Sequence, residues 1–238
     1  MTAAELRIAA FLPHSRANGP GLRSVLWVQG CPLCCPGCFN PDFLPFDGGW
    51  VETVARVADR ILSDPDTEGV SFSGGEPFSQ AAPLSELAER VRTAGKGVLI
   101  FTGCTAASLN ARADIGTRRL LAAADLLVAG PYRRELASRH PLLVSANQEL
   151  VFLTERYRGV DLGPRRTEIR IAGDGETIIT GFPPIRDESP PSYPSPTRGE
   201  GTITMDAAPI PGTLSFPSTW TGERASDRKG APVAQGHD

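Results

Sequence analysis

Four of the chain's five cysteines, Cys31, Cys34, Cys35 and Cys38, fall within eight consecutive residues of the stretch VQGCPLCCPGCFN, residues 28–40. Thiols set that closely constrain the fold strongly, because the loop that carries them must be presented as a metal site. Taking all four gives two C-x-x-C pairs back to back, which invites zinc. Structural zinc sites separate their two knuckles by about a dozen residues or more, so that each reaches the ion from its own side. Here nothing separates them, and Cys34 and Cys35 should point apart. Taking Cys31, Cys35 and Cys38 gives C-x-x-x-C-x-x-C, with Cys34 a bystander. Three thiolates on a tight loop suit an iron–sulfur cubane and leave one iron without a protein ligand. Zinc and incidental reactive thiols stay as alternatives. A disulfide fits poorly, because so short a stretch cannot bridge itself without strain and no secretory leader is visible.

The remainder alternates between strand and helix patterns. Leu6–Phe11 is a short apolar strand, and His14–Gly21 is a loop rich in turn residues. Ser24–Gln29 is β-rich and runs through Gly30 into the cysteines, so the thiol loop sits at a strand's carboxyl end. Parallel α/β folds keep their active sites at that end. Val51–Leu62 carries apolar residues at helical spacing. Val70–Ser73 is a strand ended by Gly74-Gly75-Glu76-Pro77, and Leu84, Leu87, Ala88 and Val91 form a second helical stripe stopped by Gly95. Gly97–Thr102 is a strand, Ala106–Ala123 mainly helix, and Asp125–Val128 and Glu149–Leu153 two more strands. This order predicts an α/β fold with a parallel sheet. Thr167–Ile171 and Glu176–Thr180 flank a turn-rich Ala172–Gly175 and predict a terminal β-hairpin. Beyond it, residues 183–238 hold ten of the 22 prolines and no apolar periodicity. Such a segment cannot bury enough surface to offset its ordering entropy. The expected organisation is a domain over 1–183 and a disordered tail over 184–238.

Several stretches, taken together, are similar to a known family. GPGLRSVLWVQGCPLCCPGCFNPD (19–42), GVSFSGGEPFSQ (69–80), LIFTG (99–103), DLLVAGPY (125–132), SANQ (145–148) and ITGFP (179–183) occur in one order. In that order they resemble the radical S-adenosylmethionine (radical SAM) enzymes, specifically the short activating enzymes of anaerobic ribonucleotide reductase and pyruvate formate-lyase. The resemblance runs over about residues 6–183. It implies a partial (β/α) barrel of the radical SAM type, a [4Fe-4S] cluster on Cys31, Cys35 and Cys38, and S-adenosylmethionine chelated at the open iron. It also implies reductive cleavage of that molecule to a 5′-deoxyadenosyl radical, which removes a hydrogen atom from the substrate. The partners implied are a glycyl radical enzyme as protein substrate and a flavodoxin- or ferredoxin-type electron donor.

The same resemblance marks Gly74 and Gly75 as a strand end that can approach the cofactor because it lacks side chains. Glu76 follows them, open to three readings: it fixes the turn, binds the cofactor, or is merely exposed. Thr102 and Asn147 are further cofactor-contact candidates; for Asn147, with Gln148, loop capping is the alternative. Many relatives place an aromatic residue before the third cysteine, where this chain has Gly37 and puts Phe39 after it, an arrangement shared with the short reductase-activating branch. Phe39 is therefore a candidate adenine contact, with a core phenylalanine as the alternative. Cys104 stands where relatives often have tyrosine, as a small buried side chain or a hydrogen donor. His14, His140 and His237 are scattered, in keeping with chemistry that belongs to the cofactor.

Composition excludes little beyond this. With 24 basic and 27 acidic residues the chain carries −3, without a basic run that would suit nucleic acid or an anionic membrane. No apolar run is long enough to span a bilayer, so a cytoplasmic protein is expected. Two other functions fit the residues: a radical enzyme acting on a small molecule or ribosomal peptide, and a non-catalytic iron–sulfur or zinc module.

Overall fold

The cysteine stretch leaves a strand at the centre of a seven-stranded mixed sheet, seen in a computed structural model that describes residues 3–171 and 177–182. The strands are β1 (Glu5–Ser15), β2 (Arg23–Val28), β3 (Trp50–Thr53), β4 (Gly69–Gly74), β5 (Gly97–Thr102), β6 (Leu126–Ala129) and β7 (Glu149–Phe152). Their order is β3-β1-β2-β4-β5-β6-β7. β2, β4, β5 and β6 run parallel, while β1, β3 and β7 pair antiparallel at the two sides. The α/β expectation holds, with the parallel part confined to those four strands.

Three helices cover one face: α1 (Val54–Leu62), α2 (Ala81–Thr93) and, after the short α3 (Ala106–Asn110), α4 (Ile115–Ala123). α2 lies between α1 and α4. Leu84, Leu87 and Val91 of α2 meet Val70, Phe72, Val98 and Ile100 of the sheet in one apolar core. Each such side chain contributes about 1.5–3 kcal/mol when removed from water. Alternation along the strands sends Leu99, Leu126 and Val128 to the other face, where Leu142, Tyr157 and Phe182 close over them.

The sequence pattern merged elements that the structure separates. The helix expected from Val51 begins at Val54, because Trp50–Thr53 pairs antiparallel with Glu5–Ile8 and the Thr53 hydroxyl caps the helix by accepting from the Arg56 amide. The helix expected over Ala106–Ala123 is two, since Thr105 and Asp114 each cap a new start. β1 continues through His14 and Ser15, which had read as loop. The terminal hairpin is present as β8 (Thr167–Ile171) and β9 (Thr177–Gly181), paired antiparallel. Its connecting turn and the tail expected over 184–238 lie outside the described residues. Among the described residues no helix is long and apolar enough to cross a membrane.

Candidate metal and cofactor site

The carboxyl ends of the four parallel strands lie side by side: Val28 pairs with Gly74, and Thr102 with Ala129. The thiol loop, the Gly-Gly-Glu-Pro turn, Gly103-Cys104 and Gly130-Pro131 therefore emerge along one edge. The base of the thiol loop is tied down by the segment that follows it. Gly30 and Cys31 donate their amides to the carbonyls of Phe43 and Leu44 at 2.9 and 3.0 Å. The Gln29 side chain donates to the carbonyls of Asp42 and Pro45, and the Gln80 side chain donates to the Gln29 carbonyl.

Within the loop, Cys35 and Cys38 belong to one turn, closed by a 3.1 Å bond from the Cys38 amide to the Cys35 carbonyl, with Gly37 at φ 69° between them. Cys31, Cys35 and Cys38 are half-buried, whereas Cys34 is exposed. Cys34 is also the one non-glycine residue with positive φ, 45°, among the described residues. Burial pushes the Cys31 and Cys38 thiols up, against the pull of amides aimed at their sulfurs: those of Leu33 and Cys34 at Cys31, and of Asn40 at Cys38. Amide-to-sulfur hydrogen bonds and partial exclusion of water are the surroundings that iron–sulfur thiolates use. The donor set thus fits a cluster held by these three. Among the described residues no group of three or more His, Cys, Asp or Glu side chains stands in metal-binding geometry, so the assignment rests on the loop, its spacing and its amides.

Gly74 and Gly75 are required by the protein itself. A Cβ on Gly75 would stand 2.3 Å from the Gly30 carbonyl oxygen, and one on Gly74 would stand 2.7 Å from the Val28 backbone. The two glycines let β4 press against the root of the thiol loop. Of the three readings of Glu76, the structure displays the first. Its side chain is buried, accepting from the Phe78 amide at 2.9 Å, the Thr102 hydroxyl at 2.8 Å and the Gly103 amide at 2.9 Å. Burial pushes its carboxyl up, opposed by those three donors and by the charge of Arg112. Thr102 is buried with it and also accepts from the Cys104 amide.

Phe39 is exposed, which removes the core alternative, and its ring lies 4.8 Å from that of Tyr132. Asn147 and Gln148 cap loops: Asn147 donates to the Pro131 carbonyl at 2.8 Å, and Gln148 donates to the Gly130 carbonyl while accepting from the Val144 and Ser145 amides. Cys104 is buried, with Arg112 Nη2 at 3.2 Å from its sulfur. The sequence reading missed Gln29, Gln80, Arg112 and Tyr132. Gln80 and Tyr132 stand at the ends of recognised stretches, a signal that existed; Arg112 had none.

A family model described as a 4Fe-4S single cluster domain matches residues 17–151, spanning all four strand ends. The chain belongs to that family. It is 35% identical over 136 residues to the anaerobic ribonucleoside-triphosphate reductase-activating protein of Vibrio cholerae serotype O1, over 53% of this chain and 84% of that one. The protein of the same name from Escherichia coli K12 is 33% identical over 150 residues, 58% of this chain and 93% of that one. The pyruvate formate-lyase-activating enzyme of Clostridium pasteurianum is 35% identical over 101 residues, 40% of this chain and 42% of that one. The resemblance read from the motifs is borne out, and a 4Fe-4S cluster is this family's metal group.

Proposed function

We propose that the chain is a radical SAM activating enzyme that installs a glycyl radical on a partner of the anaerobic ribonucleotide reductase or pyruvate formate-lyase type. The observation that carries this reading is the meeting of a three-thiol loop and the Gly74-Gly75 strand end on one edge, at the 2.3 Å tolerance that only glycine meets. Cys31, Cys35 and Cys38 would hold the [4Fe-4S] cluster. When bound, the cluster and S-adenosylmethionine supply reductive cleavage to a 5′-deoxyadenosyl radical, the agent of hydrogen abstraction.

The chain's own residues bind and orient. Gly74 and Gly75 bring backbone within reach of the methionine moiety. Gly37 gives the loop its left-handed turn, and the exposed Phe39 ring offers a face to a flat base. Glu76 and Thr102 act by fixing the spacing of the β4 and β5 ends, and Asn147 by fixing the turn at Pro131. In this reading the sheet is the partial (β/α) barrel of the radical SAM type, residues 1–183 are the catalytic unit, and the protein works in the cytoplasm with a flavodoxin- or ferredoxin-type donor.

Anaerobic reconstitution tests it. The protein should take up about four irons, its reduced form should change its electron paramagnetic resonance signal on adding S-adenosylmethionine, and a purified glycyl radical enzyme should acquire an organic radical. Stoichiometric zinc without iron uptake would sink the metal assignment. Cleavage of S-adenosylmethionine without a radical on either partner type would sink the activase assignment.

A further inference from the structure

Phe39 is the residue that the function proposed above, on which this inference rests, turns toward a flat base. Its ring is 47% exposed and is carried on the thiol loop. An exposed side chain on a loop moves among its staggered rotamers, and a base that binds it must first stop that motion. Stopping it costs affinity. Whatever holds the ring beforehand therefore bears on the cofactor as the ring itself does.

The holder comes from another strand end. Tyr132 leaves β6 through Gly130-Pro131, and its ring centroid lies 4.8 Å from that of Phe39, with the two planes tilted by 46°. Two aromatic rings attract at that separation and in that attitude. A tilted neighbour covers part of a ring and leaves the rest open, in keeping with the exposure of Phe39. Two residues further on, the Arg134 Cδ stands 3.2 Å from where a Gly37 Cβ would be. The segment that carries Tyr132 thus lies along the thiol loop on both sides of Cys38.

A brace must itself be fixed, and the backbone on either side of Tyr132 is. The Gly130 amide donates to the carbonyls of Thr102 and Cys104 at 3.1 and 2.9 Å. The side chains of Gln148 and Asn147 donate to the carbonyls of Gly130 and Pro131, and the Arg133 amide donates to Ser145 Oγ at 3.1 Å. Tyr132 stands between these pinned neighbours, partly buried.

We propose that Tyr132 is a positioning residue for S-adenosylmethionine, acting through Phe39 by holding that ring in the attitude that receives the adenine. The ring of Tyr132 does the holding, and its hydroxyl takes no part.

The test uses the full, anaerobically reconstituted chain. Binding of S-adenosylmethionine to the unreduced protein is measured by calorimetry, and its cleavage under dithionite gives KM and kcat. Tyr132→Ala should weaken binding about fivefold, the ordering cost of one side chain, and should raise KM by the same factor while kcat keeps its wild-type value. Tyr132→Phe should match the wild type. Phe39→Ala should weaken binding about tenfold, and adding Tyr132→Ala to it should bring no further loss, because the brace then has no ring to hold. Iron content and thermal midpoint should be unchanged in every variant. Should Tyr132→Ala lose iron, Tyr132→Leu, shorter than tyrosine and without its flat face, carries the same test.

Wild-type affinity in Tyr132→Ala would overturn the proposal. So would a loss in Tyr132→Phe equal to that in Tyr132→Ala, which would give the role to the hydroxyl. A loss that persists undiminished on top of Phe39→Ala would overturn it as well, since Tyr132 would then not act through that ring. A wild-type chain that takes up no iron, or that holds iron and does not bind S-adenosylmethionine, defeats the functional reading instead, and shows this before any variant is compared.

Discussion

Glu76 Oε1 accepts the Thr102 hydroxyl at 2.8 Å, joining the carboxyl ends of β4 and β5, and Oε2 accepts the Gly103 amide beside it. One carboxylate thus spaces two of the strand ends that frame the thiol loop. Leu33 of that loop rests on the same turn, its Cδ1 only 2.4 Å from where a Gly103 Cβ would stand. Removing the carboxylate in Glu76→Ala leaves the buried Phe78 amide and Thr102 hydroxyl and the part-buried Gly103 amide without their acceptor, an expected loss of about 3 kcal/mol or more. Denaturant unfolding of the apo-protein measures it, and iron uptake by the variant should fall as well.

The same group gives a pH dependence. Burial raises the folded carboxyl above its ordinary value of 4.5, so between that value and the raised one the native state holds a proton that the unfolded chain has released. The protonated form's contribution is fully present below 4.5 and is lost as pH rises through the folded value. Glu76→Gln cannot ionise. Its stability relative to wild type should therefore improve as pH is raised from 4.5, and a constant difference across that range in unfolding experiments would count against the buried acid.

Gly75→Ala should be far more damaging than an ordinary turn substitution. The new methyl would stand 2.3 Å from the Gly30 carbonyl oxygen, a backbone atom that the thiol loop hangs from. Cores respond to forced overpacking with losses of about 1–3 kcal/mol. Here the displaced backbone is the loop's root, so iron content should fall further than the shift in thermal midpoint suggests.

How much of this the sequence disclosed follows from what kind of force acts at each residue. The strands β2, β4, β5 and β6 were legible because a buried strand is a run of apolar, β-branched residues bounded by glycine, and the thiol loop because its spacing is chemical. β3 was not, since Val51 and Thr53 match both periods and only pairing with β1 decides between them. Glu76 lay in a recognised stretch, yet its inward turn depends on Thr102 and Gly103, donors from a strand 26 residues away. Arg23 was invisible as a core residue. A charge at a strand's start reads as solvated, and only the fold reveals the oxygens that enclose it.

The four loop thiols should separate in a replacement series. Cys31→Ala, Cys35→Ala and Cys38→Ala each remove a half-buried donor and should abolish the cluster, while exposed Cys34 should be dispensable. Cys34→Gly tests this without strain, because φ 45° is a left-handed conformation that glycine adopts freely. Relief of that conformation should offset glycine's entropy, leaving stability within about 1 kcal/mol of wild type. Iron content and the visible absorbance of the reconstituted variants decide the matter, and equal loss from all four replacements would point back to paired zinc knuckles.

Arg23 sets the last expectation. Its side chain is fully buried where β2 begins, and the acceptors seen around its guanidinium are neutral: Ser71 Oγ at 2.9 Å, Tyr157 Oη at 2.6 Å, and the carbonyls of Pro20, Val70 and Gly97. The guanidinium also lies over the Tyr157 ring, 5.3 Å from its centroid. It therefore ties the amino ends of β2, β4 and β5 to the 310 turn at Glu155–Tyr157, opposite the thiol loop. Tyr157→Phe keeps the ring and removes one acceptor; Nη1 retains the Pro20 carbonyl, so the loss should be about 1–2 kcal/mol. Arg23→Met removes the charge but strands several buried neutral oxygens, and should cost about 3 kcal/mol or more, since each buried acceptor left unpaired costs about 1–3 kcal/mol. Because both changes act on one network, the double variant should cost less than their sum by about 0.5–3 kcal/mol. Urea unfolding of the four apo-proteins gives the cycle, and strict additivity would show that the tyrosine hydroxyl and the guanidinium do not depend on each other.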